Sequence, residues 1–124
     1  MSTIHPRVLA AIATSVNAAR HAGVPIEVCG EAASDPIALP LLVGLGVDEL
    51  SVGASRVGTV RAWVRELVHR EAQALATRAL GCATAQQVEA LMAPTAKRLT
   101  AVERGDTVSA GTLGELHAEP LTAG

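Results

Sequence analysis

Cys29 is the residue of this chain with a chemical address. Upstream of it Val24, Ile26 and Val28 alternate with Pro25 and Glu27, and β-branched side chains dominate. A short strand is therefore predicted over Val24 to Gly30, ending at Cys29-Gly30-Glu31. The carboxyl end of a parallel strand is where α/β folds place reacting groups. A thiol there can release a proton or, once ionised, attack an electrophile. Gly30 lets a ligand approach the backbone, and Glu31 adds a carboxylate beside it. A free cysteine is also commonly a small buried hydrophobe, and the pattern alone leaves both readings open.

The other reactive residue types have plainer readings. Cys82 is far from Cys29 with no Cys-x-x-Cys spacing, which disfavours a zinc-thiolate site or a redox pair and suits a reducing compartment. His5, His21, His69 and His117 read as helix-terminal or surface side chains. Asp35 reads as a helix N-cap before Pro36, Glu31 as a loop carboxylate, and Asp48 and Glu49 as solvated residues at the amino end of a second strand. Arg56, Arg61, Arg65 and Arg70 fall within one helical stretch at mostly solvated positions. That arrangement fits a helix surface better than a phosphate site, where several cations must converge. No metal-ligand set is expected in this chain.

Composition narrows the partners. The chain has 124 residues, 49% hydrophobic and 18% charged, with a formal net charge of -2. That is one domain's length, apolar enough to build a core. Without a basic stripe, and with Trp63 as the only aromatic residue, it lacks what nucleic acids require. Apolar runs are interrupted well short of the roughly 18 residues that span a membrane, and the first residues do not read as a signal peptide. A cytoplasmic protein is the expectation.

The elements that must position Cys29 follow from periodicity. Val8, Leu9, Ile12, Val16 and Ala19 predict a helix from Pro6 to Ala22, with Pro6 in its first turn and Gly23 as its stop. Ile37 to Val43 predicts a short apolar helix, and Asp48 to Gly53 a second strand. One long helix is predicted from Ser55 to Leu80, with Val57, Val60, Val64, Leu67, Val68, Leu75 and Ala79 on one face. Trp63 reads as helix packing or interface. Thr84 and Gln87 form a capping-box pattern opening a further helix, with Val88, Leu91, Met92, Thr95, Leu99 and Val102 on its face and a kink or break near Pro94. Beyond Gly105 no period survives. Residues 1–104 are thus expected to be the domain, and 105–124 a flexible or loosely packed tail. Strands joined by helices imply parallel crossovers, and two such strands leave two edges, so the fold class is helix-rich α/β and looks like part of a larger architecture.

The run Val28-Cys29-Gly30-Glu31-Ala32-Ala33-Ser34-Asp35-Pro36, followed by Leu41-Leu42-Val43-Gly44-Leu45-Gly46-Val47-Asp48-Glu49-Leu50-Ser51-Val52, resembles the carboxyl-terminal part of the PEP-utilising enzymes. Within them it is most like enzyme I of the sugar phosphotransferase system. The likeness covers roughly residues 5–92, and the joint Cys-Gly-Glu and Gly-Val-Asp-Glu-Leu-Ser pattern is specific. The resemblance implies a partial (β/α)8 TIM barrel, about the last two βα units plus flanking helices. It implies that Cys29 is the general acid that protonates the enolate of pyruvate, with Gly30 and Glu31 as substrate-binding neighbours. It further implies phosphoenolpyruvate or pyruvate as ligand, Mg2+ for the full family enzyme with ligands outside this chain, and a phosphocarrier protein in the full system. The family's phosphate-binding arginines and its phosphorylatable histidine match nothing here. Val52-Gly53-Ala54 and Gly58 depart from the family pattern, which has Met-Ser and a proline there.

Two functional readings follow. In one, the chain is a portion of such a phosphotransferase, inactive alone and completed by an upstream half-barrel. In the other it is a non-catalytic barrel remnant, an oligomerisation or regulatory interaction module. Both expect exposed strand edges to be covered, by a homo-oligomer or by a partner. A freestanding thiol enzyme would need a base near Cys29, and no Cys-His arrangement supplies one.

Overall fold

The computed structural model describes residues 4–103 and, as backbone, residues 117–119. Helix α1 spans Pro6–Ala22, as its proline start and glycine stop predict. His5 Nδ1 accepts from the Arg7 amide at 3.0 Å, and Gly23 caps the other end. Strand β1 covers Glu27–Cys29, shorter than the predicted run because Val24 and Pro25 stay outside the ladder.

Helix α2 spans Ala38–Leu45, shifted one to two residues from its predicted bounds. Asp35 opens it: its Oδ1 accepts from the Ile37 amide and its carbonyl from the Leu39 amide, each at 2.8 Å. Pro40 falls in the first turn, where its missing N–H costs nothing. Every side chain from Ala38 to Val43 is buried. A helix apolar all round belongs in the middle, and α2 packs against both α1 and a later helix.

Strand β2, Glu49–Ser51, pairs parallel with β1 in the register Glu27 to Glu49, Val28 to Leu50 and Cys29 to Ser51. Its start is fixed by Asp48, whose Oδ2 accepts from the Ile26 amide at 2.9 Å, so this carboxylate is structural as well as exposed. A third strand, β3, His117–Glu119, pairs parallel with β2. These three residues lie in the stretch read from sequence as a tail, where no period announces a strand. The rest of that stretch falls outside the described residues.

The long helix predicted over Ser55 to Leu80 is two. Helix α3 spans Val57–Glu66 and α4 spans His69–Leu80, separated by Leu67 and Val68 in extended conformation. Packing explains the break. Gly44 of α2 faces α4 so closely that an added Cβ would overlap the Ala72 carbonyl and lie 3.1 Å from the Ala76 Cβ. Ala72, Ala76 and Ala79 are buried, so α4 is steered onto α2 through its alanine stripe and cannot continue the axis of α3. Val68, expected on the apolar face, is exposed at the bend, whereas Leu67 remains in the core.

Helix α5 spans Ala85–Glu103 and runs through Pro94 without a break. The capping box forms: the Gln87 amide donates to Thr84 Oγ1 at 3.1 Å, and Gln87 Oε1 accepts from the Ala83 amide at 2.6 Å. Val88, Met92, Thr95 and Leu99 are its buried face. Ile26, Val28, Leu50 and Val52 turn one face of the sheet onto Trp63, Val60 and Leu99, and that cluster is the main core. No helix among the described residues is long and apolar enough to cross a membrane.

Candidate functional site

Alternation along β1 and β2 separates two faces. The even-numbered residues pack onto the helices, while Glu27 and Cys29 are exposed and Glu49 and Ser51 half-buried on the other face. Parallel sheets are ordinarily covered on both faces. Here the described residues place helices over one, and the open one carries Cys29.

Cys29 ends β1 beside Ser51. The chain then turns at Gly30, with φ 96° and ψ -162°, a conformation essentially confined to glycine. An added Cβ at Gly30 meets no atom within 4 Å, so backbone strain and not space demands glycine. A 3-10 turn, Glu31–Ser34, follows. It is held by the Ala33 amide donating to the Gly30 carbonyl at 3.2 Å and the Asp35 amide to the Ala32 carbonyl at 3.3 Å. Ala33 is wholly buried and plugs this turn into the core, leaving Glu31 exposed. Cys29, Gly30 and Glu31 therefore lie together at one rim of the open face, the thiol accessible and free of any disulfide.

Two carboxylates share that face. Glu27 and Glu49 stand opposite each other in register, and Glu27 accepts from the Ser51 hydroxyl. Like charges placed opposite one another on adjacent strands repel, so the face calls for a cation. Across β2, backbone register sets His117 opposite Glu49. Among the described residues only Arg56 and Glu103 form an ion pair, at 3.2 Å.

The remaining candidates are dispersed. His5, His21 and His69 sit at helix ends. Arg61, Arg65 and Arg70 are exposed along α3 and α4. Arg56 departs from the solvated-surface expectation: it lies in the 3-10 turn after β2, half-buried, with its guanidinium 5.4 Å from the centroid of the fully buried Trp63. Periodicity could not mark Arg56, because the turn it occupies precedes the regular helix. Trp63 is core, and its indole N–H finds no partner among the described residues. Cys82 is half-buried, its thiol 3.6 Å from the Arg78 carbonyl. Among the described residues no three His, Cys, Asp or Glu side chains gather to hold a metal, so no metal step can be derived from them.

Known proteins resolve what the geometry leaves general. Residues 1–69 match the family described as PEP-utilising enzyme, PEP-binding domain. A multiphosphoryl transfer protein of Rhodobacter capsulatus is 42% identical over 88 residues, covering 71% of this chain and 11% of that protein. Multiphosphoryl transfer protein 2 of Escherichia coli K12 is 38% identical over 92 residues, 74% of this chain and 11% of the other. A phosphoenolpyruvate-protein phosphotransferase of Geobacillus stearothermophilus is 37% identical over 84 residues, 68% of this chain and 14% of its own length. The chain thus spans between 11% and 14% of these relatives. With its Cys-Gly-Glu turn on a helix-backed parallel sheet and its match to the PEP-binding domain, this chain belongs to the family of PEP-utilising enzymes.

Proposed function

We propose that this chain supplies the proton-donating part of a PEP-binding site, with Cys29 as the general acid that converts the enolate of pyruvate to pyruvate. The observation that carries the reading is the accessible Cys29 thiol at the carboxyl end of β1, on the uncovered face of a parallel sheet, in a chain of this family. When phosphoenolpyruvate passes its phosphoryl group to an acceptor, enolpyruvate remains. Its C3 takes the proton from Sγ: a C–H bond forms, the S–H bond breaks, and the thiolate is reprotonated from solvent. Protonation at carbon traps the enolate as pyruvate, and a positioned acid accelerates that step by roughly 10²–10⁴-fold. Gly30 brings backbone close to the ligand, and Glu31 lies at the same rim.

The groups that hold the phosphate, and any Mg2+, come from outside this chain in this reading. Arg61, Arg65 and Arg70 stand apart on helix surfaces, Arg56 is engaged with Glu103 and the Ser34 carbonyl, and the carboxylates form no metal set among the described residues. Residues 1–104 then serve as the last two βα units of a (β/α)8 barrel. The open face is completed by upstream strands whose basic side chains meet Glu27 and Glu49. The uncovered face also supports the second reading, an interaction module without catalysis, since any partner there must bring cations to the same carboxylates. A second copy of the chain would set acid against acid on this face, which disfavours self-association through it.

The test mixes this chain with the Geobacillus phosphotransferase shortened by its matching segment, in D2O with Mg2+, and follows deuterium entering the methyl group of pyruvate by proton NMR. Exchange that requires Cys29 and disappears in Cys29→Ala is the expected result. Exchange undiminished in that variant removes Cys29 as the acid, and none from either mixture removes the barrel-completing role.

A further inference from the structure

Arg56 does more than decorate a helix start. Its Nη1 donates to Glu103 Oε2 at 3.2 Å, its Nη2 to the Ser34 carbonyl at 3.4 Å, and its guanidinium lies 5.4 Å from the Trp63 ring centroid. Ser34 ends the turn that follows Cys29, Trp63 lies mid-way along α3, and Glu103 ends α5. One planar cation therefore joins three segments that are remote in sequence. The turn's internal bonds, at 3.2, 3.3 and 3.4 Å, lie at the long end of the hydrogen-bond range, so contacts from outside add to its hold. Buried Ala33 is one such contact, and Arg56, whose 3.4 Å bond to the Ser34 carbonyl is backed by its ion pair with Glu103 and its place over the indole, is another.

We propose that Arg56 is a positioning residue for the Cys29 turn, clamping Ser34 to Trp63 and to Glu103 so that the order of residues 30–34 depends on the last turn of α5. The fork of the guanidinium makes this possible. It offers donors to two acceptors while its charge lies over an indole ring, a combination that a lysine ammonium cannot reproduce. The inference deepens the proposed role of Cys29, because a proton donor acts only when its turn is held. The clamp itself is measurable whether or not Cys29 donates a proton.

The experiment is amide hydrogen exchange on the full chain with peptide or residue resolution, for Arg56→Ala, Arg56→Lys, Glu103→Gln and the Arg56→Ala/Glu103→Gln double variant. Arg56→Ala is expected to raise exchange at the Ala33 and Asp35 amides about fivefold, with α1 unchanged, as befits a partly exposed ion pair plus a cation–π contact. Glu103→Gln raises it less, and the double variant no further than Arg56→Ala, because both act through one clamp. The emission of Trp63, the chain's only aromatic residue, changes in Arg56→Ala and not in Arg61→Ala. Arg56→Lys fails to restore slow exchange. Unchanged exchange at residues 31–35 in Arg56→Ala, full rescue by lysine, or an additive double variant each overturn the proposal. Loss of the Cys29-dependent deuterium exchange described above leaves all these readouts in place, so the two ideas fail separately.

Discussion

The two βα connections of this molecule share a plan and differ in what they demand. Both β1 and β2 lead through a glycine into a short 3-10 turn and then a helix. After β1 the glycine, Gly30, sits at φ 96°, where a side chain is strained; after β2 the glycine, Gly53, sits at φ -62° and ψ 155°, where any residue is comfortable. The helix after β1 is buried all round, opened by Asp35, and pressed against α4 at Gly44. The helix after β2 has only one buried face, and no side chain bonds into the turn ahead of it as Asp35 does ahead of α2. Constraint is concentrated in the unit that carries the thiol, and the second unit contributes support through Arg56.

Substitutions at matched positions sharpen that contrast. The largest effect is expected for the helical glycines. Gly44→Ala drives a Cβ into the Ala72 carbonyl, which cannot yield without separating α2 from α4, and should cost about 3 kcal/mol. Gly58→Ala in α3, whose Cβ meets nothing within 4 Å, should stabilise by about 0.5 kcal/mol. Urea unfolding midpoints read both, and similar shifts for the two would erase the distinction between the units.

Next come the turn glycines. Gly30→Ala should cost about 1–3 kcal/mol from backbone strain alone, whereas Gly53→Ala should be near neutral or slightly stabilising. If Gly53→Ala proves as harmful, the strain argument at Gly30 loses its support. The smallest effect belongs to the turn that leads into α2: Asp35→Ala removes the acceptor for the Ile37 amide and should lower stability by about 1 kcal/mol. An Asp35→Asn variant should recover most of it, and thermal melts would show whether it does.

Much of the scaffold was legible in the residues. Pro6 and Gly23 bound α1, and Thr84 with Gln87 opens α5, because caps act through hydrogen bonds made within a few residues. The break at Leu67 and Val68 was not legible. The apolar face continues across it with no proline or glycine to mark a stop, and the cause is the close approach of Gly44 to Ala72, distant in sequence. Strand β3 was hidden for a related reason: three residues define no period, and pairing with β2 is a long-range event. At the site, Cys29, Gly30 and Glu31 were visible from their order, while Arg56 was grouped with solvated arginines because its partners, Ser34, Trp63 and Glu103, meet only in the fold.

By itself the sequence determined the short-range features: where helices α1 and α5 begin, that a thiol ends the first strand before a glycine, and that the chain resembles PEP-utilising enzymes. Tertiary structure alone decided which face of the sheet is left open, that Glu27 and Glu49 confront each other there, and that Arg56 reaches the Cys29 turn. The physical reason is range. Caps and turns are settled by neighbours along the chain, whereas faces, registers and clamps depend on contacts that no local pattern encodes.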